Sequence, residues 1–137
     1  MRFKYSEYTG SDGNVIFRPV VVLTLKHGDK FIQTEAVIDS GADFTILPIE
    51  IAGILCIKLD SRTKTTFHGA GSNAFTVYPS PVKIEHMLRQ GGFRTIKWSV
   101  KVFFAEAQPT ILLGYQGFLE RFRIILDGKK KELEIAA

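Results

Sequence analysis

Ala36-Val37-Ile38-Asp39-Ser40-Gly41-Ala42-Asp43 is the stretch on which the fold turns. An apolar run delivers a carboxylate onto a tight turn, and a hydroxyl residue and a glycine follow it. By itself Asp-Ser-Gly describes many turns, in which the aspartate only bonds its own backbone. Its surroundings narrow the reading. Upstream, Val15 to Lys26 is rich in Val, Ile, Phe and Thr and stops at His27-Gly28-Asp29, a hairpin signal that returns as Phe31 to Ile38. Downstream, Pro48 to Leu55 has helix-like apolar spacing, with Pro48 tolerated in the first turn.

Further along, Thr63 to Phe67 and Phe75 to Tyr78 are β-prone arms around the small-residue tip Gly69-Ala70-Gly71-Ser72-Asn73. Val82 to Leu88 and Phe93 to Phe104 form a second long hairpin about Gln90-Gly91-Gly92. Thr110 to Leu113 is a short apolar strand running into Gly114, and Gln116 to Phe122 reads as one or two helical turns. Arg123 to Leu126 and Glu132 to Ile135 close the chain as a hairpin about Asp127-Gly128. Mostly short strands with a minor helical component is the pattern of an all-β domain.

Composition bounds the function without naming it. The 137 residues suit one domain over 1–137, and 45% hydrophobic with 23% charged residues excludes a disordered chain. Eighteen basic against fourteen acidic residues leave a net charge of +4, too small a surplus to require an anionic partner. The apolar runs are far shorter than the roughly 20 residues of a spanning helix, and the N-terminal residues lack a leader's apolar core. The expectation is a soluble cytoplasmic protein with no membrane and no nucleic acid partner.

Ile111-Leu112-Leu113-Gly114 lies 75 positions after Asp39 in its final glycine, and Tyr115-Gln116-Gly117-Phe118-Leu119 follows. Together with Asp39-Ser40-Gly41-Ala42 and the glycine-tipped hairpin, this ordered set resembles the retroviral-type aspartic proteases (retropepsins) from about Val20 to Ile135. The resemblance implies a closed or sandwiched, mostly antiparallel retropepsin-like acid-protease domain with one or two short helices. It implies an aspartic endopeptidase needing no metal or other cofactor and acting on a peptide or protein substrate.

Such hydrolysis uses two carboxyl groups that share one proton and hold one water, because like charges a few Å apart cannot both ionise. The pair titrates as a unit, one member activating water and the other protonating the scissile carbonyl oxygen. Only one Asp-Ser-Gly occurs, since Asp12, Asp60 and Asp127 lie in polar turn-like settings. The resemblance therefore implies a homodimer in which Asp39 meets Asp39 of a second copy. A catalytically inactive peptide-binding or dimerisation module of the same shape is the alternative.

Other roles follow from the resemblance residue by residue. Ser40 either bonds across to the partner's loop or makes a local turn bond, Gly41 admits close backbone approach, and Ala42 offers the carboxylate no hydroxyl. That alanine implies a mildly acidic optimum. Asp43 matches a position that binds substrate backbone or an arginine, yet Tyr115 stands where the family's arginine follows the glycine. Gly69, Ala70, Gly71, Ser72 and Asn73 match a flap that closes over substrate; a plain exposed hairpin is the other account. The terminal strands, Phe3 to Tyr8 and Glu132 to Ile135, are implied to join a dimer sheet, or else are edge strands or frayed ends.

The remaining chemistry-bearing residues point elsewhere than catalysis. Cys56, within Ile54-Leu55-Cys56-Ile57, reads as a buried structural thiol, and the three histidines show no metal-ligand spacing. Lys129-Lys130-Lys131 reads as a solvated hairpin tip, and the alternation around Trp98 as a half-buried strand.

Overall fold

The computed structural model of the chain describes residues 1–137, the side chain of Ala70 excepted. The strands in chain order are β1 (Arg2–Lys4), β2 (Ser6–Thr9), β3 (Val15–Arg18), β4 (Val20–His27), β5 (Lys30–Ile38) and β6 (Ile46–Pro48). After helix α1 (Ile49–Ile54) come β7 (Thr65–His68), β8 (Ala74–Pro79), β9 (Ile84–Leu88), β10 (Ile96–Val100), β11 (Phe103–Ala105) and β12 (Ile111–Leu113). β13 (Arg123–Asp127) and β14 (Glu132–Ala136) end the chain. Three single 3-10 turns add the rest of the helical content among the described residues.

Nine strands form one sheet in the order β10-β9-β4-β5-β12-β6-β11-β8-β7. The smaller sheet β1-β14-β13 packs against its inner face, so the architecture is a sandwich rather than a closed barrel. β4 shows why. Val21, Leu23 and Leu25 point into the core while Val22 and Lys26 face out, the period-two pattern of a strand with one buried face. Their partners across the core include Leu133 and Ile135 of β14 and Leu55 at the end of α1.

β12 carries the arrangement that matters for function. It lies parallel to β5, pairing Ile111–Leu113 with Ala36–Ile38, and antiparallel to β6. Parallel pairing brings the ends of β5 and β12 out on the same side of the sheet.

Several expected boundaries move. The stretch from Val15 to Lys26 divides at Pro19, which has no N–H to donate and whose carbonyl instead accepts from Ile38 N at 2.9 Å. Phe93 to Phe104 is not one strand: β11 leaves β10 behind and pairs parallel with β6 and antiparallel with β8. Cys56 is exposed, not buried; it takes φ +55 just past α1, while its neighbours Leu55 and Ile57 turn inward. The expected strand from Phe3 to Tyr8 divides: β1 pairs with β14 inside one chain, Met1 exchanging both backbone bonds with Ile135 at 2.8 Å, while β2 pairs with β3. No helix among the described residues is long and apolar enough to cross a membrane.

His86 lies wholly inside, its ring stacked on Trp98 at 5.1 Å and its Nδ1 2.8 Å from the Ile84 carbonyl. Its Nε2 has no partner among the described residues. Burial pushes this imidazole down to about 4, and the Arg121 charge acts in the same direction. An unfolded chain takes up that proton near pH 6.5, whereas the folded chain resists it until about pH 4. Stability from this group is therefore intact above pH 6.5 and declines as the pH falls to 4, by on the order of 3 kcal/mol. Denaturant titrations from pH 7.5 to 4 should show this loss in the parent chain and a flatter profile in His86→Leu.

Candidate active site

β5 rises through the buried Ala36 and Ile38 and ends at Asp39, whose N–H donates to Leu113 O of β12 at 3.1 Å. The chain then turns at once. Ala42 N donates to Asp39 O at 3.2 Å, and Gly41 N donates to Asp39 Oδ1 at 2.9 Å. This Asx turn fixes one carboxylate oxygen and leaves Oδ2 without a partner among the described residues. Asp39 is half-buried, at the floor of a groove.

Gly114 braces the turn from beneath. A side chain there would put its Cβ 2.3 Å from Phe44 O and 2.7 Å from Ala42 O, so only glycine allows the two backbones to cross. Tyr115 N donates to Ala42 O and Gln116 N to Asp43 O, both at 2.9 Å. Thr45 N in turn donates to Gln116 O at 2.9 Å. Residues 42–45 and 114–116 are thus laced together, with Phe44 and Gln116 bridged in parallel.

Thr45 is the supporting residue that sequence reading missed. It is 1% exposed, and its Oγ1 accepts from Gly114 N at 3.2 Å. The available signal was a lone hydroxyl inside the apolar run Phe44-Thr45-Ile46-Leu47, two residues beyond the carboxylate pair. A second missed support is Trp98, whose Nε1 donates to Gly117 O at 3.0 Å and holds the turn after Gly114.

Above Asp39 a groove of about 570 Å³ opens. Asp39, Gly41, Ala42 and Asp43 form one side, and Thr66, Phe67, His68, Gly69 and Phe75 of the β7–β8 hairpin form the other. Its apolar wall is aromatic, with Phe67 stacked on Phe44 at 5.0 Å and edge-on to Phe103 at 4.9 Å. A cavity of about 590 Å³ elsewhere, between Phe93–Lys97 and the chain's last residues, holds none of the turn residues.

The remaining expected residues divide. Ser40 is exposed and makes no hydrogen bond among the described residues, so the local turn bond is not formed. Asp43 is exposed and has no ion pair among the described residues; its backbone is held but its carboxylate is free. At the hairpin tip Gly69 N donates to Asn73 O at 2.8 Å, and Gly71 takes φ +80. Among the described tip residues Gly69 lines the groove and Gly71, Ser72 and Asn73 do not; the Ala70 side chain lies outside the described residues.

A carboxylate residue on a crossed-loop support, lining one groove with a hairpin, within a β sandwich of this strand order defines a retropepsin-like fold. The chain superposes on the retroviral protease-like domain of Ddi1 from Leishmania major with a TM-score of 0.54. The match covers 86% of this chain and 87% of that one at 16% identity, a likeness of fold. No family model and no curated protein matches the chain.

Proposed function

We propose that residues 1–137 act as one domain of a homodimeric aspartic endopeptidase, each copy contributing Asp39 to a shared pair of carboxyl groups. The observation that carries this reading is the Asp39 turn itself. Its N–H is pinned to Leu113 O of β12 and its Oδ1 accepts from Gly41 N, yet its Oδ2 has no partner among the described residues and the residue lines the groove. One chain holds one such carboxylate, and the chemistry needs two.

In the pair one carboxylate takes a proton from a bound water as it attacks the scissile carbonyl. The other, protonated, gives its proton to the carbonyl oxygen, and the departing amine is protonated in turn. The Ser40 hydroxyl, unbonded within its own chain, stiffens the facing turns by bonding across the two-fold axis. The β7–β8 hairpin acts as a flap that lies over an extended peptide and excludes water. Gly69 to Asn73 supply its tip. The free Asp43 carboxylate accepts from substrate N–H groups, and Phe44, Phe67 and Phe75 receive an apolar side chain. A free, exposed Cys56 suits a reducing cytoplasmic setting.

Dilution tests the stoichiometry. Specific activity on a quenched peptide library should fall toward zero as sedimentation shows dissociation to monomer, and rise to a plateau with the dimer fraction. Full turnover by the monomer sinks the paired-carboxylate reading.

A further inference from the structure

We propose that the cleft between the start of β9, the end of β10 and the 3-10 turn Leu119–Arg121 is an anion site for a tetrahedral dianion of the phosphate type, either inorganic phosphate or a phosphate monoester. The site lies outside the Asp39 groove and stands or falls separately from the peptidase reading.

Sheet register brings its cations together. Trp98, Val100 and Val102 are buried, so Ser99 and Lys101 alternate onto the outer side. The β9–β10 ladder pairs Ser99 with Glu85 and Val100 with Ile84. One step further the same register sets Lys101 against Lys83, the residue just before β9. Like charges directly across a ladder repel and destabilise it. Neither lysine has an ion pair among the described residues.

Arg121 arrives from a third element. Its Nε is 4.0 Å from Glu120 Oε1, too far for a hydrogen bond, and that oxygen already accepts from Gly117 N at 2.9 Å. All three cations line one cleft of about 270 Å³, with Ser99, Gln116 and Glu120. The Ser99 hydroxyl and the Gln116 side-chain amide are exposed and have no hydrogen-bond partner among the described residues. Three cations against the one carboxylate of Glu120 leave two positive charges unmatched. Glu85 lines no part of the cleft and stands between Ser99 and Lys26 in the sheet.

That surplus selects the ligand. A phosphate dianion matches both charges, whereas a carboxylate matches one and offers only two oxygens. The planar Arg121 fork suits two phosphate oxygens at once, and the lysines act as point charges on the others. An anion held between Lys83 and Lys101 also removes their repulsion. The walls are fixed in advance: Trp98 Nε1 donates to Gly117 O at 3.0 Å, tying β10 to the loop that carries Gln116 and Arg121. Gln116 is itself held by Asp43 O and Thr45 N, both at 2.9 Å. The volume leaves room for the anion and several waters at about 30 Å³ each.

The test follows backbone amide signals of the isotope-labelled full chain during titration with inorganic phosphate. It is run at fixed ionic strength and pH 7.5, above the second phosphate pKa of about 6. Saturable shifts centred on Ser99, Lys101, Gln116 and Arg121 are expected. Lys101→Gln and Arg121→Gln, both at exposed positions, should each weaken binding at least about tenfold. Lys129→Gln, in the lysine run of the β13–β14 turn, should bind as the parent does. Without phosphate, Lys101→Gln should melt no lower than the parent, because it removes a like-charge pair. A phosphoserine peptide separates the sources. Affinity at least about tenfold above that of phosphate, lost in the serine version, assigns a phosphorylated chain, and equal or weaker affinity assigns the free ion. No saturable response to either ligand overturns the site. So does a response that Lys101→Gln and Arg121→Gln leave unchanged.

Discussion

Asp39→Asn should abolish the proposed peptide cleavage and leave the fold as it is. The amide oxygen can still accept the Gly41 N–H that Asp39 Oδ1 accepts at 2.9 Å, so the turn persists. The amide nitrogen replaces Oδ2, the oxygen without a partner among the described residues. In the proposed dimer the change falls in both copies and removes the base and the acid together. General acid–base groups contribute about 10²–10⁴ in rate, so cleavage should fall by about 10³-fold or more. Thermal midpoint and sedimentation should match the parent. Retention of more than about a tenth of the parent rate would exclude Asp39 as the base. A non-catalytic module of the same shape shows no cleavage to lose and binds extended peptides equally well before and after the change.

Gly114→Ala has the largest effect expected on stability. Its Cβ would lie 2.3 Å from Phe44 O, 2.6 Å from Phe44 C and 2.7 Å from Ala42 O, all backbone atoms. Those atoms cannot step aside cheaply, because Ala42 O is held by Tyr115 N at 2.9 Å and Phe44 is bridged to Gln116. Clashes of this kind against fixed backbone belong to the exceptional class of about 4 kcal/mol or more. Against a total of about 5–15 kcal/mol, that loss should appear as poor soluble yield and a collapsed thermal midpoint. Gly53→Ala is the comparison. It lies inside α1 with nothing within 4 Å of a new Cβ, and should raise stability by up to about 1 kcal/mol. If both variants melt like the parent, the crossed-loop packing is not as described.

The parts of the site legible in the sequence are those with local chemistry. Asp39-Ser40-Gly41 announces a turn after an apolar strand, and Leu113-Gly114 announces an apolar strand that must stop. That the two meet depends on β12 slipping in between β5 and β6, a pairing no local pattern encodes. Thr45 was invisible for the same reason, since its hydroxyl matters only once Gly114 N arrives at 3.2 Å. The break between β10 and β11 carries no glycine or proline. It exists because Val102 O is taken by Ser80 N at 2.8 Å and Phe103 N turns to Thr45 O at 3.2 Å. Cys56 lies in an apolar stretch of sequence yet is exposed, because the helix end at φ +55 rotates one residue of that run outward. The terminal strands were legible as strands, but the pairing of β1 with β14 within the chain was not.

The place of β12 also sets an order on folding. Residues 111–113 wedge between β5 and β6, elements completed more than sixty residues earlier, and supply the carbonyl that fixes Asp39 N. A growing chain that has not yet emerged to Leu113 leaves β5 and β6 unjoined and the Asp39 turn without its brace. Contacts that close so long a loop form late and slowly. The wedge thus works as a timer: the carboxylate stays unbraced until residues 111–113 have been made and have slipped between β5 and β6.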